Sequence, residues 1–212
     1  DALKRLVAEQ KLAAASYLDV GCGLGGVLRG MRGVVQDCSA IEPQDDMRES
    51  LKKSGHVVYA SFDELPQGKR FDIVTLFHVF EHLKNPASML KDIFAVMKPG
   101  GVLIIEVPHA KDALLQTFNL EAFKKFTFWS EHMVLHTQDS LKTYLKATDF
   151  QDIRTSGIQR YPLANHLYWL WKGEPGGHQK LTTFREERLE EEYEKLLVSL
   201  DQTDTLWATA RR

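Results

Sequence analysis

Cysteine is scarce in this chain: Cys22 and Cys38 are the two among 212 residues. Two thiols without metal-type spacing exclude a disulfide framework and suit a reducing compartment. Charge of one sign is also lacking, since 27 Lys and Arg face 29 Asp and Glu for a formal net charge of -2. That balance gives no electrostatic footprint for nucleic acid or an anionic membrane surface. No apolar run approaches the roughly 20 residues that span a bilayer. The N-terminus has no basic-then-apolar leader pattern, so a cytoplasmic place is expected. Repeats and low-complexity segments are absent. The chain begins at Asp1 rather than Met, as a sequence missing its start would.

What is present is a core-forming balance, 43% hydrophobic and 26% charged, at a length that suits one domain. Residues 2–14 read as an amphipathic helix, with Leu3, Leu6, Val7 and Leu12 along one stripe. Residues 16–20 form a short strand that runs into Gly21-Cys22-Gly23-Leu24-Gly25-Gly26, and a helix carrying Val27, Leu28 and Met31 follows. Further strands are expected at 38–42, 56–60, 71–77 and 102–107, with helices at 45–53 and from Pro86 onward. Alternation of this kind implies a parallel sheet covered by helices on both faces. After Pro108 the rhythm loosens. A helix at 140–147 and a strand at 150–159 precede an irregular stretch over 161–180. A charged helix at 183–200 and a last, edge strand at 205–211 close the chain.

The glycine turn is the strongest chemical signal. It aims backbone N–H groups and a helix N-terminus at the carboxyl edge of the sheet, where a ligand can touch the main chain. Glu42 ends the second strand about 20 residues on, in register to accept both hydroxyls of a ribose. The turn also satisfies the G-x-G-x-x-G pattern of dinucleotide sites. Asp19, two residues before the first glycine, decides between the two readings. An acid there repels a pyrophosphate and attracts a cationic amino-acid moiety, which favours S-adenosylmethionine and disfavours a nicotinamide-dependent dehydrogenase.

The segment from Leu18 to Gly25 resembles the first motif of class I S-adenosylmethionine-dependent methyltransferases. Phe71-Asp72-Ile73-Val74 is similar to their fourth strand, and Met97-Lys98-Pro99-Gly100-Gly101-Val102-Leu103 to the turn into their fifth. The resemblance implies an α/β fold: a Rossmann-like, doubly wound, mostly parallel seven-stranded sheet with an antiparallel C-terminal edge strand. It implies a single domain, with a cofactor-binding half over 1–107 and a substrate-covering half over 108–212. Asp19, Gly21 and Gly23 would hold the methionine end of the cofactor, and Glu42 the ribose. Met47, Ser61 and Phe62 would flank the adenine, while Phe77 and His78 would lie near the methionine end. The insertion at 161–181 resembles a bacterial branch that modifies sugars and surface polysaccharides. It implies a small-molecule acceptor, a sugar or sugar nucleotide methylated on a hydroxyl, with S-adenosylhomocysteine as product.

Removing a hydroxyl proton suits a histidine. His78, His109, His132, His136, His166 and His178 are the candidates, and position favours His109, His132 and His166 as catalytic. His78-Val79-Phe80-Glu81-His82 spells H-x-x-E-H, but zinc binding by that motif needs both histidines on one helix face. Here His78 ends a strand. Some quinone-modifying relatives hold a metal at this place with acids and a histidine; none is expected in this chain. Tyr161, Tyr168, Trp169 and Trp171 suit either stacking on a sugar or base, or burial. The run from Arg185 to Lys195 is a solvated face whose apolar stripe suits a homodimer contact as the alternative. Methylation at carbon or nitrogen, and a cofactor-binding protein without turnover, stay open. A nucleic-acid methyltransferase does not fit, because no Asn/Asp-Pro-Pro-aromatic motif follows the fourth strand.

Overall fold

The computed structural model of the chain describes residues 14–129 and 132–212. The helix expected at 2–14 therefore lies almost entirely outside the described residues. One seven-stranded sheet in the order β3-β2-β1-β4-β5-β7-β6 organises the fold. Its first five strands are β1 (Ser16–Val20), β2 (Asp37–Ile41), β3 (Val57–Tyr59), β4 (Phe71–Phe77) and β5 (Met97–Pro108), all parallel. Every side chain of β1 is buried, as a central strand covered on both faces requires.

Side-chain alternation divides the core into two layers. Val74 and Leu76 of β4, with Leu103 and Ile105 of β5, join the larger layer. There they meet Leu90 and Ile93 of α3 (Pro86–Val96) and Leu141 and Leu145 of α6 (Gln138–Lys146). Ile73, Val102 and Ile104 point the other way, to Tyr17 and to Met31 of α1 (Gly26–Met31). Full burial of each such aliphatic side chain contributes about 1.5–3 kcal/mol. Helix starts follow local chemistry. Asn85 accepts the Ser88 N–H ahead of Pro86, and Thr137 with Ser140 forms a capping box for α6. The helix expected at 45–53 is α2 (Asp45–Lys53).

The C-terminal strand β7 (Thr205–Arg211) is antiparallel, as expected, but it is not the edge. It lies between β5 and β6 (Gln151–Ile158), antiparallel to both. The burial patterns give the reason: Leu206, Ala208 and Ala210 present an apolar stripe to the core, whereas β6 is largely exposed. A second correction concerns 161–180, expected to be irregular. It contains the ten-residue helix α7 (Leu163–Lys172) and the short α8 (Gly177–Lys180). Pro162 stands at the start of α7 and left-handed Gly173 at its end, so the punctuation was present while crowded aromatics hid the helical period. Asn165 Oδ1 accepts N–H groups from Gly176 and Gly177, each at 3.1 Å, which ties α8 to α7. Gly177 is needed there, because a Cβ would stand 2.2 Å from the Ala164 carbonyl oxygen. The other α-helices among the described residues are α4 (Ala113–Gln116), α5 (Glu121–Thr127) and α9 (Glu187–Ser199).

Candidate active site

The sheet order reverses direction between β1 and β4, so a crevice opens at the carboxyl ends of these strands. The glycine turn lines it. Gly21 has φ +73°, and a Cβ on it would stand 2.4 Å from Val79 Cγ2. Gly23 has φ +51°, but a Cβ on it would meet nothing within 4 Å, so the open side of the turn is here. Glu42, 3% exposed, bridges to this turn: Gly23 N–H donates to Oε2 at 2.8 Å and Gln44 N–H to Oε1 at 2.9 Å. Its carboxylate is thus held at the end of β2. Thr75 Oγ1 donates to Asp19 Oδ1 at 2.8 Å and receives the Tyr17 hydroxyl at 2.6 Å. Burial, reinforced by the negative charge of Glu42, pushes the Asp19 carboxyl up to about 6.

Met47 lies half-buried on α2. Ser61 precedes a single 3-10 turn, and half-buried Phe62 packs against the larger core layer. Phe77 ends β4 with its ring stacked on Trp207, centroids 5.7 Å apart. His78 follows with φ +55°, an uncommon backbone state for a residue with a Cβ. Its Nε2 lies 3.1 Å from Glu106 Oε1 and its Nδ1 3.4 Å from Glu81 Oε1. These two carboxylates push the imidazole up to about 9, against burial and the nearby Arg160 guanidinium. The Arg160 guanidinium also contacts His78 Nε2.

Beside His78, between the end of β5 and helices α4, α5 and α7, lies a cavity of about 270 Å³. Phe123, Phe126 and Trp169 form an aromatic wall, with ring centroids 5.1–5.2 Å from the Trp169 ring. Polar groups converge on the rest, among them Asp112, Arg160 and several histidines.

A family model described as a methyltransferase domain matches residues 1–155. The chain belongs to this methyltransferase family. It is S-adenosylmethionine-dependent, of class I, and the sheet order is the one that class uses. The ubiquinone biosynthesis O-methyltransferase of Xanthomonas euvesicatoria pv. vesicatoria is 27% identical over 173 residues, covering 76% of this chain and 70% of that protein. The mitochondrial enzyme of the same description from Candida albicans is 27% identical over 161 residues, covering 66% of this chain. The chain spans 45% of that protein's length. A crystal structure of a SAM-dependent methyltransferase from Archaeoglobus fulgidus shares the fold with a TM-score of 0.66 at 21% identity, covering 100% of this chain and 93% of that one.

In this methyltransferase the three favoured histidines all line the cavity, each already engaged by the protein. His109 Nδ1 lies 3.0 Å from the Thr203 carbonyl oxygen, and its Nε2 is 3.7 Å from Asp201 Oδ1. Burial lowers its pKa more than Asp201 raises it. His166 Nδ1 meets the Tyr193 hydroxyl at 2.6 Å, and its Nε2 lies 3.4 Å from Gln159 Nε2. Burial pushes His166 down to about 4, so it is neutral at working pH. His132 Nδ1 lies 2.7 Å from the Thr127 carbonyl oxygen. His132, His82 and buried Glu81 bring one donor atom each within 4.8 Å of one another, an arrangement that can hold a metal ion. The H-x-x-E-H pairing does not form, because His78 precedes the 3-10 turn that carries His82. His136 stands apart from the cavity wall, packed between Phe80 and Tyr144.

The sequence reading missed Asp112 and Asp204. Asp204 takes N–H groups from Arg160 and Tyr161 and one from the Gln159 amide, at 2.9–3.0 Å. Asp112 caps α4, with Oδ1 accepting the Leu114 N–H at 2.7 Å. At 3% exposure it lines the cavity, and burial, with Asp204 nearby, pushes it up to about 7. The signal was legible only as a helix cap before Ala113-Leu114-Leu115.

Proposed function

We propose that this methyltransferase moves a methyl group onto a hydroxyl of a small ring compound seated in the cavity beside His78. The observation that carries the reading is the cavity itself: about 270 Å³, walled by three aromatic rings, and bounded by the residue that follows β4. Apolar walls with a few convergent polar groups are the common form of a small-molecule site. The open side of Gly23, the held Glu42 carboxylate and the buried Asp19 fit S-adenosylmethionine. In this reading Asp19, Gly21 and Gly23 hold the methionine end, with Phe77 and His78 beside it. Glu42 takes the ribose, and Met47, Ser61 and Phe62 flank the adenine. The bound cofactor supplies a methyl already activated on a sulfonium.

The chain's own work is then to align the acceptor, exclude water and take up a proton. His109, His132 and His166 belong to the acceptor wall. A planar aromatic hydroxyl fits the ring-lined wall best, and the O-methyltransferase descriptions of the relatives support transfer to oxygen. A sugar or sugar nucleotide is the second reading, favoured by Asp112 and Arg160 on the same wall. The low cysteine count supports a cytoplasmic place.

The test is a methyl-transfer screen that follows S-adenosylhomocysteine release, with catechols and sugar nucleotides as acceptors and Trp169→Ala beside the wild type. The expected result is turnover of a hydroxyl acceptor, with KM raised about tenfold or more in the variant. Transfer to amines alone, or a KM indifferent to Trp169, overturns the reading.

A further inference from the structure

We infer that Asp112 is the catalytic residue that takes the proton from the acceptor hydroxyl during methyl transfer. The inference rests on the acceptor occupying the cavity described above. Asp112 is anchored by one oxygen, Oδ1, through the Leu114 N–H at 2.7 Å, and Oδ2 makes no hydrogen bond among the described residues. One carboxylate oxygen therefore fixes the side chain and the other is left to face the cavity that the residue lines. A sphere of the cavity's volume is roughly 8 Å across, so a ring compound filling it reaches both His78 and Asp112.

Other groups on the cavity wall compete for this role: His109 Nε2 and His178 Nδ1 are buried there with no hydrogen-bond partner among the described residues, although burial makes His109 a weaker base. His78 lies between the Glu106 and Glu81 carboxylates, with the Arg160 guanidinium also on its Nε2. His109 and His166 are tied to Thr203 and Tyr193, and His132 points one nitrogen at Thr127 and sits beside Glu81 and His82. The titratable and charged groups around Asp112 are Asp204 ahead of β7, Tyr193 on α9, His166 on α7, and His109 and Arg160 on the cavity wall. Asp204 and Asp112 repel, which favours a proton on one of them. A carboxylate that protonates near neutrality is matched to general-base work.

The step balances. As the acceptor oxygen bonds to the methyl carbon, its proton passes to Asp112 Oδ2, and the broken carbon–sulfur bond leaves its electron pair on sulfur. Asp112 then returns the proton to water, so each turnover yields one methyl ether, one S-adenosylhomocysteine and one proton.

The experiment compares the full chain with Asp112→Asn, which keeps an oxygen for the Leu114 N–H. Catechol and 4-nitrocatechol are the probes, the second being largely ionised at pH 8 and in no need of a base. The expected result is a loss in kcat of about 100-fold or more on catechol, with 4-nitrocatechol affected several-fold at most. In the wild type, kcat/KM for catechol rises through about pH 7, and in the variant that rise disappears. Equal losses on both probes, or none on catechol, overturn the inference. If the wild type turns over neither probe, the aromatic-hydroxyl reading fails, and the same comparison is made on the hydroxyl acceptor that the wider screen yields, where equal kcat for wild type and Asp112→Asn overturns the inference and a loss of about 100-fold supports it. A carbon-13 titration of the Asp112 carboxyl with a midpoint near the ordinary value of about 4 also overturns it.

Discussion

Lowering the pH from 7 to 5 should weaken S-adenosylmethionine binding about tenfold, through Asp19. In the free protein burial and Glu42 hold its carboxyl at about 6, where Thr75 only partly compensates. A cationic ligand in the crevice favours the ionised form, so binding below that pH must expel a proton. With the free-state value at about 6 and the bound-state value well below 5, the protonated fraction rises from about one tenth at pH 7 to about nine tenths at pH 5. The sign follows: affinity is full above the free-state value and falls as pH drops through it. Titration calorimetry in two buffers of different ionisation enthalpy reads both the affinity and the proton released. Asp19→Asn should bind more weakly and lose the pH dependence between 5 and 7. A wild-type affinity that stays flat over that range, with no proton released, would refute the assignment of Asp19 to the cationic end of the cofactor.

Glu42→Ala removes a carboxylate that two backbone N–H groups hold in place, and S-adenosylmethionine affinity should fall by about 10- to 100-fold, measured by the same calorimetry. Asp112→Asn should stabilise the protein at alkaline pH. The folded-state value of about 7 lies above the unfolded 3.8, so stability present below about pH 4 is lost as pH rises through 7, a cost of up to about 4 kcal/mol. Urea unfolding should show the variant ahead by about 1–3 kcal/mol at pH 8 and level with the wild type at pH 4, and a gain equal at both pH values would contradict the cause. Gly21→Ala puts a Cβ against Val79 at φ +73° and should cost about 1–3 kcal/mol in urea unfolding, and an unchanged midpoint would mean the turn relaxes freely.

Most of the sheet was legible because its strands are short apolar runs ended by strong punctuation. The segments 16–20 and 71–77 are strands with those bounds, and Pro43 and Pro86 stand just before or at helix starts, whereas Gly100-Gly101 lies within β5, where its register against β4 shifts. The same holds for Asp19, Gly21, Gly23 and Glu42, whose spacing along β1, the turn and β2 is a local property. Legibility failed where the local signal was doubled or weak. In α7 aromatics occupy both faces, so the helical period vanished although Pro162 and Gly173 bounded it. The strand at 205–211 was found, but nothing within it says that β6 would pair on its outer side.

By itself the sequence determined the order of elements, the glycine turn and the two acids that accompany it, and hence the family and its methyl donor. These depend on backbone conformation and register over about twenty residues, which the residue types dictate directly. Only the tertiary structure decided which polar groups surround the cavity and in what protonation state. His109 meets Thr203 across 94 positions, and Asp112 acquires its raised pKa from burial beside Asp204. Desolvation and charge coupling act between residues far apart in the chain, so no spacing announces them.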